Sequence, residues 1–250
     1  MRSDIIAAAV FGSLVCAVLL GLRLRKVSEP HLNADTRDTV KLALGLIATM
    51  VALLLGLLVS SAKNDYDGAR SEVGQMVAKA VLLDRVLALY GPQAAAARVE
   101  LHAVVEQWAH HLWPEEHRTA KETIPDSQVG ELLYRAVQEL SPTDDEQRGA
   151  KAQALSLMMQ IGELRVLLLE QCTTTISTPL LVIVVDWLVV IFVGFGLLAP
   201  SNTTATVALL VSALAVSGAV FLILELSRPF SGVMQISPAP ATAALKRLGK

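Results

Sequence analysis

Two cysteines among 250 residues, and charge on only 18% of them, are the first scarcities of this chain. Cys16 falls inside an apolar run and Cys172 at the far end of a polar stretch, so a disulfide framework is excluded. Enzyme signatures are missing too. There is no Ser/His/Asp or Cys/His arrangement, no phosphate-binding glycine loop and no calcium-loop pattern, which leaves no case for an enzyme. No period of 20–50 residues recurs, and that excludes a repeat architecture. Net charge is −2, so nothing draws the whole chain toward nucleic acid.

What the chain has instead is long apolar runs. Apolar residues make up 53% of it, well above soluble averages. Ile5–Leu22, Thr39–Ala62, Pro179–Leu198 and Ala205–Leu226 are each about 20 residues long, enough to cross a hydrocarbon core as helices. Between the second and third lies a polar stretch with helical patterning. These runs predict an all-α membrane protein with four transmembrane helices and a cytoplasmic helical bundle inserted between the second and third. The expected divisions are 1–62, a first helix pair; 63–176, the helical domain; 177–228, a second pair; and 229–250, a cytoplasmic tail. The first run ends at Leu22-Arg23-Leu24-Arg25-Lys26 without a small-residue cleavage site, so it reads as an uncleaved span.

Charge orients this plan. Residues Lys63–Ile176 hold 11 basic and 17 acidic side chains, a balance of −6, which argues against a nucleic-acid or anionic-lipid surface there. With four spans, Arg2, Lys63, Arg70, Lys79, Arg165, Arg228, Lys246, Arg247 and Lys250 share one side. The last loop, Ala199–Thr206, has no charge. The positive-inside rule puts the insert and both termini in the cytoplasm. Arg23, Arg25, Lys26, Arg37 and Lys41 fall on the opposite side, and the cluster Arg23–Lys26 conflicts with it.

Helix signals subdivide the polar part. Asp38 is positioned to cap the second span. No proline interrupts Lys41 to Gly91, so this span is expected to run unbroken into the insert. There, Tyr66, Val73, Ala80 and Leu87 recur every seven residues, as do Ala69, Met76, Leu83 and Tyr90, forming a seam that wants a partner helix and suits self-association. Gly91-Pro92 ends it. A helix over Gln93–Trp113 stops at Pro114, and Pro125 precedes a short one near Ser127–Leu140. Thr143 with Glu146 forms a capping box for a last helix with Ala150, Ala154, Leu157, Ile161, Leu164 and Leu168 on one face.

Asp186 is the carboxylate well inside a span. An unpaired ion there is costly, so it reads either as part of a pore, relay or cation site, or as a structural hydrogen bond or interfacial carboxylate beside Trp187. Ala48, Ala52, Gly56 and Ser60 form a stripe of small residues down the second span, where helix backbones can approach closely. The stripe reads as packing within the chain, a subunit seam or a pore lining. Leu54, Leu57 and Leu58, opposite, could form an apolar constriction that gates by dewetting. His102, Glu106 and His110 share a face, with His111 and His117 nearby. The set is incomplete for a metal, and a solvated polar face is expected, with no cofactor.

Immediately behind the final span, Glu225-Leu226-Ser227-Arg228-Pro229-Phe230-Ser231-Gly232 carries a Pro-Phe-x-Gly motif. With Ser60–Arg70, Leu83-Asp84-Arg85, Tyr90-Gly91-Pro92, Trp187 and Phe192–Gly196, it resembles the bestrophin-like group of bacterial four-span membrane proteins, distantly similar to bestrophin channels. Bestrophins are pentameric ion channels with two spans, a cytosolic helical portion, two more spans and cytosolic termini. The resemblance implies a homo-oligomer, of about five chains in such a channel, with the second span lining a central pore. It marks Arg228, Pro229, Phe230 and Gly232 as the post-span turn. In animal members an acidic, calcium-binding cluster follows that turn; here Val233-Met234-Gln235 follows, so calcium gating is not implied. The expected partners are the bilayer and other copies of the chain. Two further readings compete. One is a non-conducting scaffold or sensor whose acidic domain binds a cytoplasmic protein. The other is an ion-driven stator-like subunit that depends on Asp186.

Overall fold

A computed structural model describes residues 3–28, 34–113, 126–173, 178–200 and 202–248. The described residues are helical and contain no strand. The helices are α1 (Ser3–Ser28), α2 (Ala34–Tyr90), α3 (Ala95–Leu112), α4 (Asp126–Gln138), α5 (Asp145–Thr173), α6 (Thr178–Leu198), α7 (Thr203–Leu226) and α8 (Ala239–Leu245), with a 3₁₀ turn at Pro92–Ala94. Four of them, α1, α2, α6 and α7, are long and apolar enough to cross a membrane. Arg2, Pro114, His117, Pro125, Ser177 and Lys250 lie outside the described residues, as do the side chains of Lys26 and Cys172.

The chain forms two compact units. Met1–Tyr66 with Thr175–Arg228 is one, and Asp67–Thr174 with Pro229–Lys250 is the other. In the first, α1 contributes Val10, Leu14, Ala17 and Val18 to an apolar core shared with Val51 and Leu58 of α2, Val184, Leu188 and Ile191 of α6, and Ala213, Val220 and Ile223 of α7. The closest approach is between α1 and α6. A Cβ added at Gly196 would sit 2.6 Å from the Val18 carbonyl oxygen, and one at Gly21 would sit 2.9 Å from the Gly196 Cα. Only hydrogen fits at either position, the small-residue condition for intimate helix contact in lipid.

In the second unit, α2 buries Ala69, Val73, Met76, Ala80, Leu83, Leu87 and Tyr90. The heptad seam expected to serve self-association is therefore covered inside the chain. A seven-residue apolar repeat specifies a partner helix but not whose it is. Lys79 Nζ donates to Gln160 Oε1 of α5 at 2.5 Å, and Gln147 Nε2 reaches the Tyr90 carbonyl at 3.3 Å. Asp84, itself buried, receives two parallel hydrogen bonds from Arg98 of α3, at 2.7 Å from Nε and 3.0 Å from Nη2. Those bonds raise the pKa of the Arg98 guanidinium above its ordinary value, and desolvation opposes them.

Two caps differ from the sequence expectation. Helix α2 begins at Ala34, so Asp38 lies within its second turn and pairs with Lys41 at 2.9 Å instead of capping. For α5, Asp144 Oδ1 accepts the Gln147 N–H at 2.7 Å, while Gln147 Oε1 accepts from the Thr143 N–H at 2.8 Å. The cap thus moves one residue later, to Asp144, while the Gln147 side chain reaches back to Thr143, because Asp is at least as good a cap acceptor as Thr.

Candidate functional site

Helix α2 has two opposed faces in the membrane unit. At about 100° per residue, Leu44, Val51, Leu58 and Ala62 fall together and are buried. The other face carries a ridge of large side chains, Leu42, Leu46, Met50, Leu53 and Leu57, beside a furrow of small ones, Gly45, Thr49, Ala52, Gly56 and Ser60, all exposed. Leu53 is 75% exposed and Leu57 64%. A Cβ added at Gly45 or Gly56 would meet nothing within 4 Å. The stripe Ala52, Gly56 and Ser60 therefore makes no close packing within the chain, and only Ala48 is half-buried. The proposed constriction divides as well. Leu57 faces outward, Leu54 is half-buried against the core, and Leu58 is buried in it and unavailable to a pore.

Asp186 lies on the exposed side of α6, in line with Val182, Ile183 and Val190. It makes no hydrogen bond or ion pair with a described residue of its own chain. A carboxyl group on the outer face of an apolar span is costly to leave against hydrocarbon.

Two polar ties lock the ends of the spans, and sequence reasoning missed both. Arg25 Nη1 donates to the Ala199 carbonyl at 2.7 Å, closing the C-terminus of α6 where that helix leaves carbonyls unsatisfied. Its charge also complements the negative end of the α6 dipole. One member of the discordant basic cluster thus has a structural purpose. At the other end of α7, Glu225 is only 1% exposed and accepts from Ser3 Oγ at 2.5 Å. Its position beside Arg228 suggests an interfacial pair, and the bond from Ser3 has no local signal in the sequence.

From Pro229 onward the post-span turn belongs to the second unit. Gly232 has φ of 99°, a left-handed conformation that a side chain disfavours. The turn returns the chain so that the Ile236 N–H donates to the Pro229 carbonyl at 2.7 Å. Trp113, at the end of α3, grips it twice. Its indole Nε1 donates to the Ile236 carbonyl at 2.7 Å, and its ring meets Phe230 edge-on at 5.9 Å between centroids. Gly232→Ala is expected to cost about 1–2 kcal/mol through backbone strain. Loosening of the turn should appear as faster amide exchange at Ile236.

His102 Nδ1 and Glu106 Oε2 stand 4.0 Å apart on α3, both solvent-accessible. Among the described residues no group of three His, Cys, Asp or Glu side chains assembles that could hold a metal.

The Bestrophin-like domain matches residues 11–241, nearly the whole chain. The chain belongs to the Bestrophin-like family. Solved structures agree on the fold. A bacterial bestrophin homologue from Klebsiella pneumoniae superposes with a TM-score of 0.69 at 17% identity, covering 94% of this chain and 96% of that one. Two single-substitution variants of a bestrophin homologue from the same organism each give 0.72 at 16% identity, one covering 96% of both chains, the other 99% and 98%. No curated protein matches the chain.

In this bestrophin-like chain the candidate residues do not form one cluster. The α2 face and Asp186 lie on exposed surfaces of the membrane unit, and the post-span turn is built into the helical unit. The motif residues Leu83-Asp84-Arg85 now have a use, since Asp84 ties α2 to α3 and Leu83 is buried beside it. Trp113 carried no motif of its own, and its pairing with a turn more than 100 residues away left no local signal.

Proposed function

We propose that this bestrophin-like protein is a homo-oligomeric ion channel, not calcium-gated, in which α2 lines a path shared by several copies. One observation supports this most: an entire face of α2, small furrow and leucine ridge together, is left uncovered by the described residues of the chain. A furrow of Gly45, Ala52 and Gly56 is suited to close approach by a neighbouring helix, and Leu53 and Leu57 beside it are suited to an apolar constriction. Asp186 adds weight, because a neighbouring chain or an aqueous path would relieve its exposure. The absence of carboxylates after Gly232 argues against calcium control.

The test begins with the mass of the purified particle, corrected for bound detergent or lipid, followed by currents in planar bilayers. A ring of about five chains that conducts is expected. Leu57→Ala should widen the constriction and raise conductance or open probability, whereas Leu58→Ala should mainly lower stability, by about 2–5 kcal/mol as a buried leucine. A monomer or dimer without current would sink the reading and favour a scaffold whose acidic unit binds a cytoplasmic protein.

The location we favour is a bacterial inner membrane with the helical insert and both termini cytoplasmic. Nine basic residues flank the spans on that side, against Arg23, Arg25, Lys26, Arg37 and Lys41 on the other. A fluorescent-protein fusion after Leu248 should fluoresce, and a periplasmic phosphatase fused there should be inactive; the reverse pattern would refute this topology.

A further inference from the structure

Away from the ends of the spans the sequence places a single charged side chain, Asp186. No other Asp, Glu, Lys or Arg falls between Asp4 and Arg23, between Lys41 and Lys63, or within Thr178–Leu198 and Thr203–Leu224. The carboxyl group is exposed and bonds to no described residue of its own chain.

Its position relative to α2 follows from one contact. A Cβ added at Gly194 would stand 2.6 Å from Leu44 Cδ1, so these two positions face each other across α6 and α2. Val18 meets Gly196 and Arg25 meets Ala199, so α6 runs parallel to α1 and opposite to α2, the span that follows α1. Asp186 precedes Gly194 by eight residues, which is about 12 Å along the axis and a turn of about 80°. Eight residues past Leu44 the same depth is reached on α2 at Ala52, with Met50 and Leu53 close to that level. Because the helices run in opposite directions, the turn from Gly194 back to Asp186 and the turn from Leu44 on to Met50 and Leu57 lead to the same side of the pair. The carboxylate therefore shares its side with the large-residue ridge, and the furrow of small residues opens on the other.

We infer that Asp186 is the charge-selecting group of the path along α2, which passes small monovalent cations in preference to anions. The inference rests on the channel reading above and adds the class of ion to it. Carboxylates repeated around a wet path attract cations and repel anions. No basic side chain at that depth on α1, α2 or α7 offsets them.

Reversal potentials of the full chain in planar bilayers under a KCl gradient test this. A K⁺ over Cl⁻ permeability ratio of at least about tenfold is expected, the low end of what a focused charge does to local counter-ion concentration. Asp186→Asn keeps the shape and removes the charge. It should bring the ratio down to about one with current and particle mass retained, and Asp186→Glu should keep the preference. Anion preference, or a ratio that Asp186→Asn leaves unchanged, overturns the inference and leaves the channel reading standing. No current from the unaltered protein overturns both. If Asp186→Asn breaks up the particle and Asp186→Glu does not, the carboxylate serves packing between copies and the inference is again overturned.

Discussion

Gly196→Val is expected to keep the membrane unit from folding stably, lowering its thermal unfolding midpoint by roughly 6–12 °C or abolishing a folded particle. The new Cβ would stand 2.6 Å from the Val18 carbonyl oxygen and 3.1 Å from the Gly21 Cα. Both are backbone atoms of α1, so relief requires separating two helices that share a packed core. Overpacking of this kind costs about 1–3 kcal/mol or more, and in a chain of this size each kcal/mol moves the midpoint by roughly 2–4 °C. A matched pair isolates the steric cause. Gly21→Ala and Gly12→Ala make the same change in the same helix, and both raise helix propensity by about 1 kcal/mol. At Gly12 the added carbon meets nothing within 4 Å, whereas at Gly21 it strikes α6. Gly12→Ala should be neutral or stabilising and Gly21→Ala clearly destabilising. Equal midpoints for the two would show that the α1–α6 approach is not this close in the membrane.

Asp84→Ala should destabilise the helical unit by about 2–3 kcal/mol, less than the upper range for a fully buried pair because Arg98 keeps some contact with water. The two parallel bonds fix the guanidinium in one orientation, and losing the carboxylate leaves it desolvated without a counter-charge. Replacing both partners with apolar side chains, Asp84→Leu with Arg98→Met, should recover most of the loss, since no charge is then left to desolvate. Denaturant unfolding of the single and double variants checks this. A double variant no better than Asp84→Ala would mean that Asp84 acts through something other than the pair.

The four spans were legible because apolar runs of about 20 residues have few other uses. The long α2 was legible because no proline or strong stop falls between Lys41 and Gly91. Sequence reasoning failed where the partner of a pattern lies far away in the chain. The heptad through Val73, Ala80 and Leu87 was visible, but the pattern is the same whether the partner helix is its own or another copy's. Leu57 and Leu58 are adjacent in sequence and about 100° apart on the helix, so only the identity of the packing neighbours separates an outward leucine from a core one. Gly21 follows Ala17 by four residues and Gly196 follows Gly194 by two, but nothing in either run names the other as its partner. Asp38 looked like a cap because the helix was assumed to start with the apolar run at Thr39, yet α2 begins five residues earlier, at Ala34. Glu225 sits at the end of a span, where a charge is ordinarily wet, and nothing local announces that Ser3 comes to cover it.

The hydrogen bond from Arg25 to Ala199 has a consequence for synthesis. Those residues are 174 positions apart. At 5–20 residues per second, a ribosome needs on the order of 10–35 s after making the first to supply the second. Throughout that interval α1 lacks α6, so the Gly21 notch and the Arg25 guanidinium are without the α6 backbone groups they meet in the folded chain. The span that enters the membrane first is therefore among the last to find its place, and the insertion machinery must hold or shield it until α6 emerges.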